Sequence, residues 1–123
     1  MHKIIAAKEF NGLVAVFASW CPPCRDELPD LATLYRKAKP ENVQIIAVSM
    51  DKGDVDAVQR MVNELELPFP IYYVGEPLAS KYKIVGVPTL MVVQQGQIVE
   101  KIPGQQSLRE LAAKLKRFRP GGP

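Results

Sequence analysis

Cysteine, tryptophan and histidine are scarce in this chain, at two, one and one among 123 residues. Two cysteines are too few for the disulfide framework of a small secreted protein. Two cysteines with a single histidine, His2, also fall short of the four ligands a structural zinc site takes, so no metal is expected. Long apolar runs are missing as well. The longest, Leu13–Ala18, has six residues, against the ~18 that a membrane-spanning helix requires. Nor does one sign of charge dominate. Sixteen basic and 13 acidic residues leave a net +3 and a pI near 8.9, short of the concentrated basic face of a nucleic-acid binder. The start, Met1-His2-Lys3-Ile4-Ile5-Ala6-Ala7, turns polar at Lys8-Glu9, without the ~7–15 apolar residues of an export signal. A trimmed mature domain would read the same way.

What is present is an ordinary globular composition, 47% hydrophobic and 24% charged, of a length that suits one domain over residues 1–123. Pro120-Gly121-Gly122-Pro123 cannot form regular structure, so 119–123 reads as a disordered tail. The apolar runs Leu13–Ser19 and Val43–Met50 have the length and composition of strands buried on both faces. Lys3–Ala7 reads as a short edge strand, and Ile71–Val74 as another short strand. After Cys21, Leu28, Leu31, Tyr35 and Ala38 recur at helical spacing, opposite Arg25, Asp26, Asp30, Arg36 and Lys37. Pro29 lies inside that pattern and predicts a kink, and Pro40 closes it. Asp54–Leu65 is amphipathic, and Glu76–Tyr82 reads as a short helix. Thr89–Val93 and Gln97–Ile102, joined by Gln94-Gln95-Gly96, predict a hairpin. Ser107 and Glu110 have the spacing of a capping box at the head of a last helix, with Leu108, Leu111, Ala112, Leu115 and Phe118 as its apolar stripe. Alternating strands and helices followed by a hairpin predict an α/β fold, parallel strands with an antiparallel edge.

The two cysteines stand three apart, as Cys21-Pro22-Pro23-Cys24, between a buried strand and a helix. Residues three apart on a helical turn are neighbours, so the two sulfurs can reach disulfide geometry. Proline is tolerated only in a helix's first turn, which puts Cys21 at the helix mouth. Pro22 precedes a proline and is steered away from helical angles, making Pro23 the expected first helical residue. Unpaired N–H groups and the dipole at the mouth favour a thiolate at Cys21, with Cys24 one turn inside and more shielded. That asymmetry suits thiol–disulfide exchange: Cys21 attacks a disulfide, and Cys24 then resolves the mixed disulfide. Pro22 and Pro23 take two backbone donors away from the mouth, which limits thiolate stabilisation and argues against an extreme oxidant. Inert cysteines and a metal site remain the competing readings of the pair.

Ala18-Ser19-Trp20-Cys21-Pro22-Pro23-Cys24, followed far along the chain by Gly86-Val87-Pro88-Thr89 before a strand, resembles the thioredoxin-like fold. The added helix and strand between Asp51 and Pro88, together with Trp20-Cys21-Pro22-Pro23-Cys24-Arg25-Asp26-Glu27-Leu28-Pro29, are similar to the TlpA/ResA-like branch of bacterial thiol–disulfide oxidoreductases. The resemblance spans Phe10 to Phe118. It implies a central mixed sheet flanked by helices, with a helix–strand insertion between the second strand and a cis-proline loop.

By position, the resemblance makes Cys21 the nucleophile and Cys24 the resolving thiol, with Trp20 beside the pair. It makes Pro88 the cis-proline, Val87 the residue whose backbone pairs with an extended substrate segment, and Gly104 a glycine lining the same groove. Apart from the resemblance, Pro88 reads as a trans residue introducing a strand. The buried acid of thioredoxins would fall at Ala15, where no carboxylate is available. Asp51, at the end of the second strand, is the substitute candidate, against a plain role as a turn or cap residue. The family's usual extra strand pair before Leu13–Ser19 has only about ten residues available here, so it is expected to be shortened or trimmed away.

The activity so implied is that of a monomeric protein disulfide reductase acting on partner disulfides, apocytochromes in cytochrome c maturation among them. It would use no cofactor beyond its own redox-active pair. An upstream thiol donor, a membrane thiol–disulfide transporter, would re-reduce it in the periplasm or another extracytoplasmic space. A cytoplasmic reductant fed by thioredoxin reductase is the alternative within the class. A non-catalytic copper-binding or partner-binding module on the same fold is the alternative outside it.

Overall fold

A computed structural model describes residues 10–38, 43–51, 53–73 and 81–116. Five strands form one sheet: β1 (Gly12–Phe17), β2 (Gln44–Ser49), β3 (Ile71–Tyr73), β4 (Thr89–Gln94) and β5 (Gln97–Pro103). Among the described residues they are accompanied by the helices α1 (Pro22–Ala38), α2 (Val55–Leu65) and α3 (Leu108–Lys116). The strand order is β3-β2-β1-β4-β5. β1, β2 and β3 are mutually parallel, β4 runs antiparallel to β1, and β5 antiparallel to β4. The architecture is the expected α/β one, a mixed sheet with α2 and β3 inserted between the second strand and Pro88.

β1 lies at the centre of the sheet, and all six of its residues are buried, which is why its sequence is continuously apolar rather than alternating. Leu13, Ala15 and Phe17 face one way and pack with Leu28 and Leu31 of α1, Val58 and Met61 of α2, and Leu111 of α3. Val14 and Val16 face the other way, with Ile46, Val48, Met91 and Val93. Among the described residues, Phe10, Tyr82 and Ile84 lie on that second face.

Several boundaries are set by contacts that periodicity does not encode. β1 ends at Phe17 rather than Ser19 because the Ser19 N–H turns out of the ladder to Asp51. α1 begins at Pro22, one residue earlier than expected. Both prolines then fall in the first turn, where their missing N–H groups leave no bond unmade. Pro29 lies inside α1 without ending it. Asp54 is the cap of α2 rather than its first residue, accepting from Ala57 N at 2.9 Å. The capping box of α3 is present in both directions, with Glu110 N donating to Ser107 Oγ at 3.1 Å and Ser107 N to Glu110 Oε1 at 2.9 Å. The hairpin turns on Gln95 and Gly96 alone, both at positive φ (52° and 77°), as a two-residue turn between right-twisted strands demands. The expected edge strand Lys3–Ala7, Pro40, Phe118 and the 119–123 tail lie outside the described residues. So does the expected helix Glu76–Tyr82, apart from Lys81 and Tyr82, which are helical.

Gly12 opens β1 where the chain passes tightly over β2, and a Cβ there would land on the Gln44 carbonyl oxygen. Backbone has to move to admit it. Gly12→Ala is expected to cost on the order of 2 kcal/mol or more, read as a lower midpoint in denaturant. An unchanged midpoint would refute the close approach.

Candidate active site

The register of the sheet gathers the candidate residues at one end. Phe17 pairs with Ser49, and Val16 with Thr89, which pairs in turn with Pro103. The segments leaving β1 and β2, the segment entering β4 and the segment leaving β5 therefore emerge together. They carry Ser19–Cys21, Asp51, Val87-Pro88 and Gly104. Ends of strands in open α/β sheets are where such folds place their sites.

Cys21 and Cys24 form a disulfide, with their Cα atoms 5.3 Å apart. The Cys21 carbonyl accepts from Cys24 N at 3.1 Å and Arg25 N at 3.2 Å, and Cys24 N also lies 3.3 Å from Cys21 Sγ. Cys21 thus stands at the mouth of α1 with its sulfur touched by a first-turn N–H. Its exposure is 3%, against 0% for Cys24. The peptide bond Val87–Pro88 is cis. The Pro88 carbonyl accepts from Gly104 N at 2.9 Å, and Gly104 has a φ of 89°, a conformation that suits glycine. Pro88 and Gly104 are therefore in direct contact across the hairpin.

Along the Ser19-Trp20 segment that leads into Cys21 lies an open groove of about 720 Å3. Ser19, Trp20, Met50, Asp51, Val85 and Val87 contribute to its lining. Trp20 is 69% exposed and Val85 96% exposed, so its rim is apolar and open to solvent. Of the expected site residues, Trp20, Asp51 and Val87 share this groove; Cys21, Cys24, Pro22, Pro23, Pro88 and Gly104 border the same end of the sheet without lining it.

Asp51 is buried and accepts from Ser19 N at 2.9 Å, from Ser19 Oγ, and from Ser49 Oγ at 2.7 Å. These bonds tie it to the segment ahead of Cys21. The acid in helical register with Cys24 is a different one, Glu27, three residues further along α1 and 1% exposed. Burial pushes its carboxyl up from 4.5 to about 7. The Gln106 N–H, 2.7 Å from Oε2, opposes that rise, while the charges of Asp30 and Glu110 add to it. Glu27 is not among the site residues expected from the sequence. Its signal there is positional: an acid three after Cys24 and four before Leu31 falls on the apolar face of α1, not among Arg25, Asp26 and Asp30. Among the described residues no cluster of three or more His, Cys, Asp or Glu side chains could hold a metal ion.

A mixed sheet in this order, a disulfide at the mouth of the helix after the central strand, and a cis-proline at the facing strand define a thioredoxin-fold dithiol protein. The sequence profile of the AhpC/TSA family matches residues 2–102. A thiol–disulfide oxidoreductase ResA from Bacillus thuringiensis subsp. konkukian is 32% identical over 123 aligned residues, covering 96% of this chain and 70% of the relative. The ResA of Bacillus anthracis is 33% identical with the same coverage. The crystal structure of StoA from Bacillus subtilis superposes with a TM-score of 0.79 at 24% identity, covering 90% of this chain and 86% of that one, a likeness that establishes the fold. The chain belongs to the AhpC/TSA family, among its ResA-like thiol–disulfide oxidoreductases.

Proposed function

We propose that the protein is a protein disulfide reductase that cycles Cys21 and Cys24 between dithiol and disulfide. The observation that carries this reading is the disulfide itself, at a helix mouth, with Cys24 fully enclosed and Cys21 directly following Trp20, which lines an open groove. In the reduced protein the Cys21 thiolate attacks one sulfur of a substrate disulfide. A Cys21–substrate disulfide forms, the substrate S–S bond breaks, and the departing sulfur leaves as a thiolate that takes up a proton. Cys24 then gives its proton to Glu27 and attacks Cys21 Sγ. The mixed disulfide breaks, its substrate sulfur leaves as a thiolate that takes up a proton, the substrate departs as a dithiol carrying two electrons, and the Cys21–Cys24 bond forms.

Glu27 suits the second step because its pKa of about 7 lets it exchange a proton near neutral pH. Val87 presents its backbone to an extended substrate segment beside the cis bond, Gly104 leaves room for that segment, and Trp20 supplies an apolar wall. Pro22 and Pro23 hold the first turn rigid. The cycle draws on no metal or nucleotide.

The substrates are partner proteins with accessible disulfides, apocytochromes awaiting haem attachment among them. The site of action is extracytoplasmic, and a membrane thiol–disulfide transporter returns the electrons. The similarity to ResA-like proteins supports this placement. Among the described residues no helix is long and apolar enough to cross a membrane.

The test is a titration of the pair in graded thiol buffers, followed by the fluorescence of Trp20, the single tryptophan, with Cys24→Ser as the control. A reversible two-electron midpoint near about −250 mV or below is expected. A midpoint near about −120 mV would make the protein an oxidant. The absence of any transition would turn attention to copper binding at the same sulfurs.

A further inference from the structure

Asp51 is 3% exposed and takes no part in the exchange cycle above. All three of its hydrogen-bonding partners at the side chain donate: Ser19 N, Ser19 Oγ and Ser49 Oγ. That arrangement complements an ionised carboxylate, which accepts only. The Asp51 N–H in turn donates to Ser49 Oγ at 3.1 Å, so the corner after β2 is closed on itself.

Ser19 stands two residues ahead of Cys21, a reach of at most about 7 Å of extended backbone. Its carbonyl accepts a long bond from Arg25 Nε at 3.4 Å, and the Arg25 guanidinium pairs with Glu64 of α2 at 3.2 Å. The N–H, the hydroxyl and the carbonyl of Ser19 are therefore all held.

Among the described residues, four groups that can carry charge lie on the elements that meet near the start of α1. Asp51 comes from the end of β2, and Asp54 from the cap of α2. Arg25 lies on α1 itself, turned toward Glu64, and Glu27 lies on the buried face of α1 below Cys24. Pro22 and Pro23 contribute no N–H donors. Resting on the exchange reading above, we propose that Asp51 is a positioning residue. It pins Ser19-Trp20 ahead of Cys21 and sets a fixed negative charge at the helix mouth that opposes the Cys21 thiolate, which keeps the pair reducing.

Asp51→Asn separates this charge from the geometry. The asparagine oxygen still accepts from Ser19 N, and its amide donates to the Ser19 hydroxyl, so the loop is retained and the charge is lost. The Cys21 thiolate, followed by its ultraviolet absorbance against pH, is expected to form with a dissociation constant about three- to tenfold larger. At pH 9 the equilibrium against graded thiol buffers is expected to move toward the dithiol by the same factor, about 14–30 mV in midpoint.

Ser49→Ala leaves the charge in place with one donor fewer, and is expected to move both quantities the opposite way. It also keeps the test open should Asp51→Asn fail to fold. Unchanged values in Asp51→Asn, beside a reversible transition in the unsubstituted protein, overturn the proposal alone. Shifts of the same sign in both variants overturn it too, since loosened packing produces them. No reversible transition in the unsubstituted protein overturns the exchange reading and this proposal with it.

Discussion

Cys24→Ser is expected to stop turnover and to accumulate a stable mixed disulfide between Cys21 and the substrate. A hydroxyl one turn inside α1 cannot attack the Cys21 sulfur, so the first step proceeds and the second does not. Cys21→Ser is expected to abolish turnover as well, yet to leave no adduct. The remaining thiol, Cys24, is at 0% exposure and is out of reach of a protein substrate. Both losses are expected on the order of a thousandfold or more, as for removal of a nucleophile that acts as one unit with its partner. Mass spectrometry of the protein after incubation with a disulfide-bonded substrate separates the two variants. An adduct on Cys21→Ser, or turnover by Cys24→Ser, would reverse the assignment of nucleophile and resolving thiol.

The asymmetry between the cysteines is legible in the amino-acid sequence, because proline has so few places in a helix. Pro22 and Pro23 confine the start of α1 to the two residues after Cys21, and the helical repeat then puts Cys24 a turn inside. The order of β1, α1, β2, α2 and the hairpin is legible for a similar reason, since buried runs and 3.6-residue stripes do not resemble each other. What periodicity does not supply are bonds between residues far apart in the chain. Ser19 reads as the end of a strand until Asp51, 32 residues on, takes its N–H.

Glu27 is a second case. A glutamate among Asp26, Arg25 and Asp30 reads as part of a solvated face. Only its phase against Cys24 and Leu31, and the Gln106 N–H arriving from 79 residues away, show that it is enclosed. Asp51 is legible as a site candidate through its place at a strand end, but its bonds to Ser19 and Ser49 are not.

Glu27→Gln is expected to trade activity for stability, with a sign fixed by the direction of the pKa shift. The carboxyl has a folded value of about 7, above its ordinary 4.5. Between those values the unfolded chain has released the proton and the folded protein has kept it. Folding stability therefore declines as pH rises from about 4.5 to about 7, by on the order of 3 kcal/mol in all. In the variant the side-chain oxygen still accepts from Gln106 N–H, and nothing at position 27 titrates. Denaturant unfolding of the oxidised protein, in which neither cysteine titrates, should show that decline in the unsubstituted chain and a flat profile in Glu27→Gln. The variant should be the more stable of the two above pH 7.

Glu110 does not blur the comparison. Its bonds to Ser107 lower its pKa, so its contribution is lost only as pH falls below the window. The activity should move the other way. Without a group near neutrality to take the Cys24 proton, resolution of the mixed disulfide is expected to slow about a hundredfold at pH 7, while formation of the mixed disulfide is spared. A Glu27→Gln variant that keeps the sloping stability profile would place the titration elsewhere. One that resolves its mixed disulfide at the unsubstituted rate would remove Glu27 from the proton transfer and leave it a structural tie between α1 and the segment after β5.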